Sequence, residues 1–349
     1  VQCDFSVIEG AYLRDLLDQP GALEKTLAGL EVSEALHRLT GQLQEGKFKT
    51  VVLTGMGSSF HALHPLNLEL IDHGFTAMMV ETSELLHYQN RLFDAKTLIV
   101  AVSQSGQSAE VVRLLEMNRG KSSVIAVTNT PGSPLAEQAD ATVFSRAGEE
   151  FSVSCKTYLA ALMALQWLGD VVCQRDLLRT RQELEAASPA VRDYLSPWKQ
   201  HVQDLAQMLE GARHLFLVGR GPSLAAVGTG ALTIKESDHF HAEGMSSAAF
   251  RHGPFEMLSD ETFVLVFAGE EKTRELNQSL FADIREKGRR AELIGQGAAS
   301  SSCLLPGAPR SIHPIVEMLP VQMVTLALAA HMGREPGRFE LASKVTTKE

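Results

Sequence analysis

Six consecutive residues, Ser103-Gln104-Ser105-Gly106-Gln107-Ser108, put three hydroxyls and a glycine into one short loop without a lysine or arginine. Such a loop suits an oxyanion when it opens a helix. The first helical turn has unpaired N–H groups and the positive end of the helix dipole, hydroxyls add further donors, and glycine lets the anion come close. Gly55-Met56-Gly57 is followed by Ser58-Ser59, which can add two hydroxyls to the same anion. One serine at a helix start is explained by capping. The cluster of Ser58, Ser59, Ser103, Ser105 and Ser108 reads instead as a site for phosphate or a similar anion.

A second stretch, Thr229–Glu256, has the residue types for proton transfer. Glu236 falls near the end of a predicted helix, and Arg251-His252-Gly253-Pro254 makes a charged turn. A carboxylate and an imidazole are the two titrating groups that moving a proton on a sugar requires. The local sequence fits an alternative equally well, with Glu236 paired to Lys235 or an arginine and His252 capping a turn.

Other candidates carry less. His61 with His64, and His239 with His241, lack a third ligand at metal-binding spacing, so no metal is expected. The Gly-x-Gly turns at Gly55 and Gly219 fall short of the dinucleotide pattern, because Phe60 and Leu224 occupy the third glycine position. Glu81 is the one acid placed to read a ribose. No organic cofactor is expected.

These residues need elements to hold them. Lys49–Thr54, Ala77–Glu81, Thr97–Ser103, Ser123–Thr128 and Thr142–Ser145 read as strands. Helices are expected over Ser59–Asp72, Ala109–Asn118 and Pro134–Gln138. The strands are near-continuous Val/Ile/Leu runs, as in a parallel sheet covered on both faces. Strand–helix alternation at this spacing predicts an open α/β sheet, whose ligand crevice lies at the carboxyl ends of the strands. The serine loop follows the third strand directly.

The same phrases then return. VVLTGMGSS from Val51 is echoed by LFLVGRGPS from Leu215, and TLIVAVS from Thr97 by TFVLVFA from Thr262, at a nearly constant offset. Two landmarks keeping one offset predict a duplicated fold. At the place of the serine loop the second copy has Gly269-Glu270-Glu271-Lys272, so it is expected to have lost the anion site. The predicted organisation is a helical lead over 1–34, a first domain over 35–187 and a second over 188–349. The join lies near the Ser-Pro steps at Ser188 and Ser196.

The 349 residues include 42 acidic and 32 basic side chains, for a net charge of −10. That balance opposes nucleic-acid binding, which needs Lys/Arg-rich faces. A hydrophobic fraction of 44% with 21% charged residues excludes a disordered chain. Cys3, Cys155, Cys173 and Cys303 are scattered, as free thiols in a reducing cytoplasm would be. The first twenty residues do not resemble a signal peptide. The apolar window Tyr158–Cys173 is too short for a membrane span and reads as a core helix.

Together GMGSS, SQSGQSAE, NTPGSPLAEQAD, SVSCKTYL, the GALTIKE–HAE–FRHGP run and the ending LASKVTTKE resemble the sugar isomerase (SIS) family with two domains in tandem. More closely, the chain is similar to the isomerase half of the glutamine–fructose-6-phosphate aminotransferases, over about residues 35–349. The resemblance implies two flavodoxin-like domains, each a five-stranded parallel sheet flanked by helices. It implies that Ser59 and, in the serine loop, Ser103, Gln104, Ser105 and Ser108 bind the phosphate of a sugar phosphate. It also implies that Glu149 (with Glu150 one residue away), Ser154 and Lys156, beside Cys155, meet the sugar. Glu236 matches the catalytic glutamate and His252 the histidine that a neighbouring subunit supplies, which implies a homodimer or larger homo-oligomer with a shared site. Two family lysines are replaced: Thr233 stands three residues before Glu236, and Ser343 stands in the tail with Lys344 next to it as the remaining candidate. No glutaminase domain is present, so ammonia from glutamine is not expected as a substrate. The implied activity is isomerisation of a hexose 6-phosphate with deamination or deglycation, without metal or cofactor. The competing expectation is a sugar-phosphate sensor without turnover.

Overall fold

The computed structural model describes residues 4–341 and 343–346; Cys3 lies outside them. The chain divides into two compact units. One contains residues 21–149, 156–185 and 341–349, and the other residues 1–20, 150–155 and 186–340.

The first unit is built on five strands, β1 (Thr50–Gly55), β2 (Ala77–Glu81), β3 (Thr97–Val102), β4 (Ser123–Thr128) and β5 (Ala141–Phe144). They run parallel in the order β2-β1-β3-β4-β5. All six residues of β3 are buried, which explains the unbroken apolar run of a central strand. Val52, Ile99, Ala101, Val124 and Ala126 pack with Leu114 and Leu135 in one core. The helix expected over Ser59–Asp72 is two, Gly57–His61 and Leu63–Asp72. Pro65 has no N–H to give the carbonyl of His61, so the helical ladder is interrupted there.

The second unit repeats the plan with β6 (His214–Gly219), β7 (His241–Ser246), β8 (Thr262–Phe267) and β9 (Arg290–Ile294), parallel in the order β7-β6-β8-β9. Its sheet has four strands among the described residues where five were expected. After β9 the chain runs through 295–309, a stretch rich in Gly, Ala, Ser and Pro without one β-branched residue. Such a sequence has little to pack on a pleated face. Phe216, Val218, Val264 and Val266 pack with Phe250, Leu280 and Ile284.

Two helices of this unit matter below, Leu224–Asp238 and His313–Met332. A Cβ on Gly230 would lie 2.8 Å from Leu217 Cδ2 and 2.9 Å from Val321 Cγ1. The glycine therefore lets the first helix seat closely between β6 and the second. One helix, Arg310–Met332, is long and apolar enough to cross a membrane, but its apolar window is 89% buried inside the protein. It is a core helix longer than Lys156–Val172, the one anticipated from the sequence. The Ser-Pro steps do not break the chain into a linker. Pro189 sits in the first turns of helix Ala187–Leu195, and Ser196-Pro197 ends it. Cys155, Cys173 and Cys303 are free thiols, and burial pushes both Cys173 and Cys303 up to about 12.

Candidate functional site

β1 and β3 are neighbours at the point where the strand order reverses, so the segments leaving their carboxyl ends flank the crevice of the first sheet. Ser58 and Ser59 lie in the short helix after β1, half-buried, and their hydroxyls have no hydrogen-bond partner among the described residues. After β3 the ladder extends one residue, with Ser103 N donating to Val127 O at 3.1 Å. The loop then closes on itself. Ser103 Oγ accepts from Gly106 N at 3.1 Å, and Ser105 Oγ from Gln107 N at 3.4 Å.

Gly106 has φ +63°, and a Cβ there would collide with Ser133 Oγ. Only glycine makes this turn cheaply. The carbonyl of Gln104 accepts from Asn129 N at 3.1 Å and from the hydroxyls of Thr128 and Thr130 at 3.2 Å each. The loop is thus fixed through its backbone, which leaves side chains for other work. Ser108 holds the N-cap position of helix Ala109–Asn118, yet its hydroxyl makes no cap bond. Ser133 is the capping serine here, accepting from Ala136 N at 3.3 Å. Capping therefore does not account for Ser58, Ser59 or Ser108. The tail reaches the same loop, where Ala109 N donates to Thr346 O at 3.1 Å.

The sugar-side candidates fall in different settings. Glu149 is exposed, whereas Glu150 is buried and its Oε1 accepts from Cys155 N at 3.0 Å. Ser154 is half-buried. Lys156 is buried and opens helix Lys156–Val172. Ser343 and Lys344 are exposed, and Ser343 Oγ donates to Val345 O at 2.8 Å.

Glu236 is half-buried in the last turn of helix Leu224–Asp238. Lys235 is exposed and forms no ion pair among the described residues, so it is not the partner of Glu236. Thr233, in the place of the family lysine, is buried with an unpartnered Oγ1. His252 is exposed and ends helix Ser247–Arg251, with its backbone N donating to Ala249 O at 3.0 Å. The turn is made by that backbone bond and by Arg251, which donates to Asp283 at 2.5 Å, not by the imidazole. The connectivity separates Glu236 from His252. The helix bearing Glu236 runs back to the amino edge of the sheet, while His252 lies beyond the carboxyl end of β7. Six residues of strand, roughly 20 Å, stand between those edges.

Some chemistry-bearing residues gave no signal in sequence. Glu69, His73 and Cys173 have ligand atoms within 4.8 Å of one another. Glu69 and His73 stand four residues apart at the end of one helix, but Cys173 follows another, so no sequence spacing links it to them. A cation already sits there, since Arg175 reaches Glu69 Oε1 at 3.0 Å and Asp170 at 3.4 Å. Burial and the neighbouring Asp170 push the Glu69 carboxyl upward. Asp238 is buried with neither oxygen hydrogen-bonded within range among the described residues, and burial raises its carboxyl well above the usual range, opposed by Ser237 and Arg334.

Comparison with known proteins bears on the whole chain. The SIS domain model matches residues 47–169 and again 208–332. The glutamine–fructose-6-phosphate aminotransferase (isomerizing) of Pyrococcus horikoshii is 28% identical over 354 residues, 97% of this chain and 57% of that protein. The chain thus spans little more than half the length of that relative. The C-terminal domain of glucosamine-fructose-6-phosphate aminotransferase from Francisella tularensis superposes with a TM-score of 0.81 at 19% identity, over 96% of this chain and 99% of the other. Glucosamine-6-phosphate deaminase from Thermotoga maritima gives 0.72 at 18% identity, over 97% and 100%. With the family model matched in both halves, around both parallel sheets, the chain belongs to the SIS domain family.

Proposed function

We propose that the chain is an enzyme acting on a phosphorylated hexose, with an aminated or ketosamine hexose 6-phosphate favoured as substrate. The observation that carries this reading is the serine loop. Its backbone is tied down by its own hydrogen bonds, while the hydroxyls of Ser58, Ser59 and Ser108 have no hydrogen-bond partner among the described residues. Hydroxyl and N–H donors at the carboxyl ends of β1 and β3 suit one phosphate, whatever the net charge of the chain.

In this reading Ser58, Ser59, Ser103, Gln104, Ser105 and Ser108 hold the phosphate. Glu149 or Glu150, Ser154 and Lys156 meet the sugar. Glu236 moves the proton between C1 and C2 through an enediol- or enolamine-like intermediate. His252 assists ring opening from a neighbouring copy of the chain, a role supported by its exposure and by the strand length separating it from Glu236. Thr233 replaces an amine with a hydroxyl, so covalent imine chemistry at that position is not part of the proposal. Lys344 is the remaining amine near the tail. The 28% identity to an aminotransferase that isomerises supports isomerisation as the core step, followed by loss of ammonia or an amine.

The test is a screen of hexose, hexosamine and fructosamine 6-phosphates, reading isomer, ammonia and free amino acid. Turnover on one of them, abolished in Glu236→Gln with ligand binding retained, supports the reading. Binding without turnover on every substrate points to the sensor instead.

A further inference from the structure

The four-stranded sheet has a crevice at the equivalent place, where the chain leaves the adjacent strands β6 and β8. The acids there suggested repulsion of anions, but each now has a setting. Glu270 accepts from Arg310 Nε at 2.5 Å, and Glu271 is exposed at the start of helix Glu271–Glu286. Glu317, only 3% exposed, accepts at Oε1 from Ser223 Oγ at 2.7 Å. Its other oxygen has no hydrogen bond among the described residues. Burial pushes the Glu317 carboxyl up to about 7, with Glu270 adding to the effect and Ser223 opposing it. Gly269 brings the two loops together, for a Cβ on it would lie 3.4 Å from Ser223 Oγ and 3.3 Å from Asn277 Nδ2.

What remains is positive and unpaired. Arg220 directly follows β6, and Arg274 lies in the first turns of helix Glu271–Glu286. Neither guanidinium forms an ion pair among the described residues, and both Nε atoms are shut off from solvent without a partner. Ser311 Oγ is in the same condition. His313 interacts with Glu270, Arg274 and Arg310, and burial holds its imidazole below the usual range. Buried donors are normally paired, so three left open, at the exit of β6, in the helix after β8 and in the turn before helix His313–Met332, call for a ligand. Guanidinium is the group that grips carboxylate and phosphate with two parallel bonds.

We propose that this second crevice binds a small hydroxylated oxyanion, a phosphate ester or a carboxylate, through Arg220, Arg274 and Ser311, with Glu317 meeting a ligand hydroxyl. The site belongs to the unit that lacks the serine loop, and it does not depend on the reaction proposed above.

The test is calorimetric titration of the full chain with inorganic phosphate, glucose 6-phosphate and malate, which separates the phosphate source from the carboxylate one. A binding event that survives Ser59→Ala/Ser105→Ala and weakens by about tenfold or more in Arg220→Met/Arg274→Met is expected. The proposal is overturned if every event is lost with the two serines, or if the arginine variant binds all three ligands as the parent does. Should the arginine variant fail to fold, Ser311→Ala and Glu317→Gln each alter one polar group while keeping both guanidiniums. Each is expected to weaken the surviving event several-fold, and unchanged affinity in both sinks the idea.

Discussion

At the residue scale, the phosphate role proposed for Ser108 turns on a single hydroxyl. Ser108 occupies an N-cap position, yet its hydroxyl makes no cap bond and has no partner among the described residues, while Ser133 nearby makes a true cap. Hydrogen bonds to a charged group contribute roughly 1.5–3 kcal/mol each. Ser108→Ala should therefore weaken sugar-phosphate binding by about ten- to a hundredfold, with little change in melting temperature. Ser133→Ala should do the reverse, losing about 1 kcal/mol of stability. Titration and thermal unfolding on the same two variants check both statements. Glu236→Gln keeps the shape of the side chain and removes its basicity. Turnover should fall at least about a hundredfold while affinity is retained, as measured by steady-state and binding assays.

At the scale of the element, Gly230 decides how closely the helix bearing Glu236 can seat. Gly230→Ala puts a methyl against Leu217 and Val321, both within 3 Å of its position. Overpacking of this kind costs about 1–3 kcal/mol, so the melting temperature should drop. The strands of the first sheet and the duplicated plan were legible in the sequence, because β-rich runs such as Thr97–Val102 are buried on both faces and have to be apolar throughout. The serine loop was legible because its donors are contiguous. Three things were not. The break at Ala62 depends on one missing N–H at Pro65. The absent fifth strand of the second sheet depends on the weak β preference of a whole stretch. The proposed second crevice draws on Arg220, Arg274, Ser311 and Glu317, which lie far apart in sequence and so share no motif. Glu317 did leave a trace, as the one acid inside an otherwise apolar helix.

For the whole molecule, Glu317 links stability to pH. Its carboxyl moves from the ordinary 4.5 to about 7 on folding. The folded chain then holds this proton more tightly than the unfolded one. The contribution is fully present below about 4.5, declines as pH rises through 7 and is gone above it. The span is worth about 3 kcal/mol. Glu317→Gln should flatten the slope of unfolding midpoint against pH between 4.5 and 7; an unchanged slope would show that other groups set it. The duplication has a further consequence. In the two proposed sites, one copy of the fold offers an anion hydroxyls and backbone dipoles, and the other offers guanidinium charge. Mobile ions distinguish these devices. From about 0.1 M to about 1 M ionic strength the screening length shrinks from roughly 10 Å to 3 Å. Charge at the arginine crevice is screened over that range far more than the short-range donors of the serine loop. A single chain with two copies of one ancestral sheet should therefore hold one ligand almost regardless of salt and release the other as salt rises.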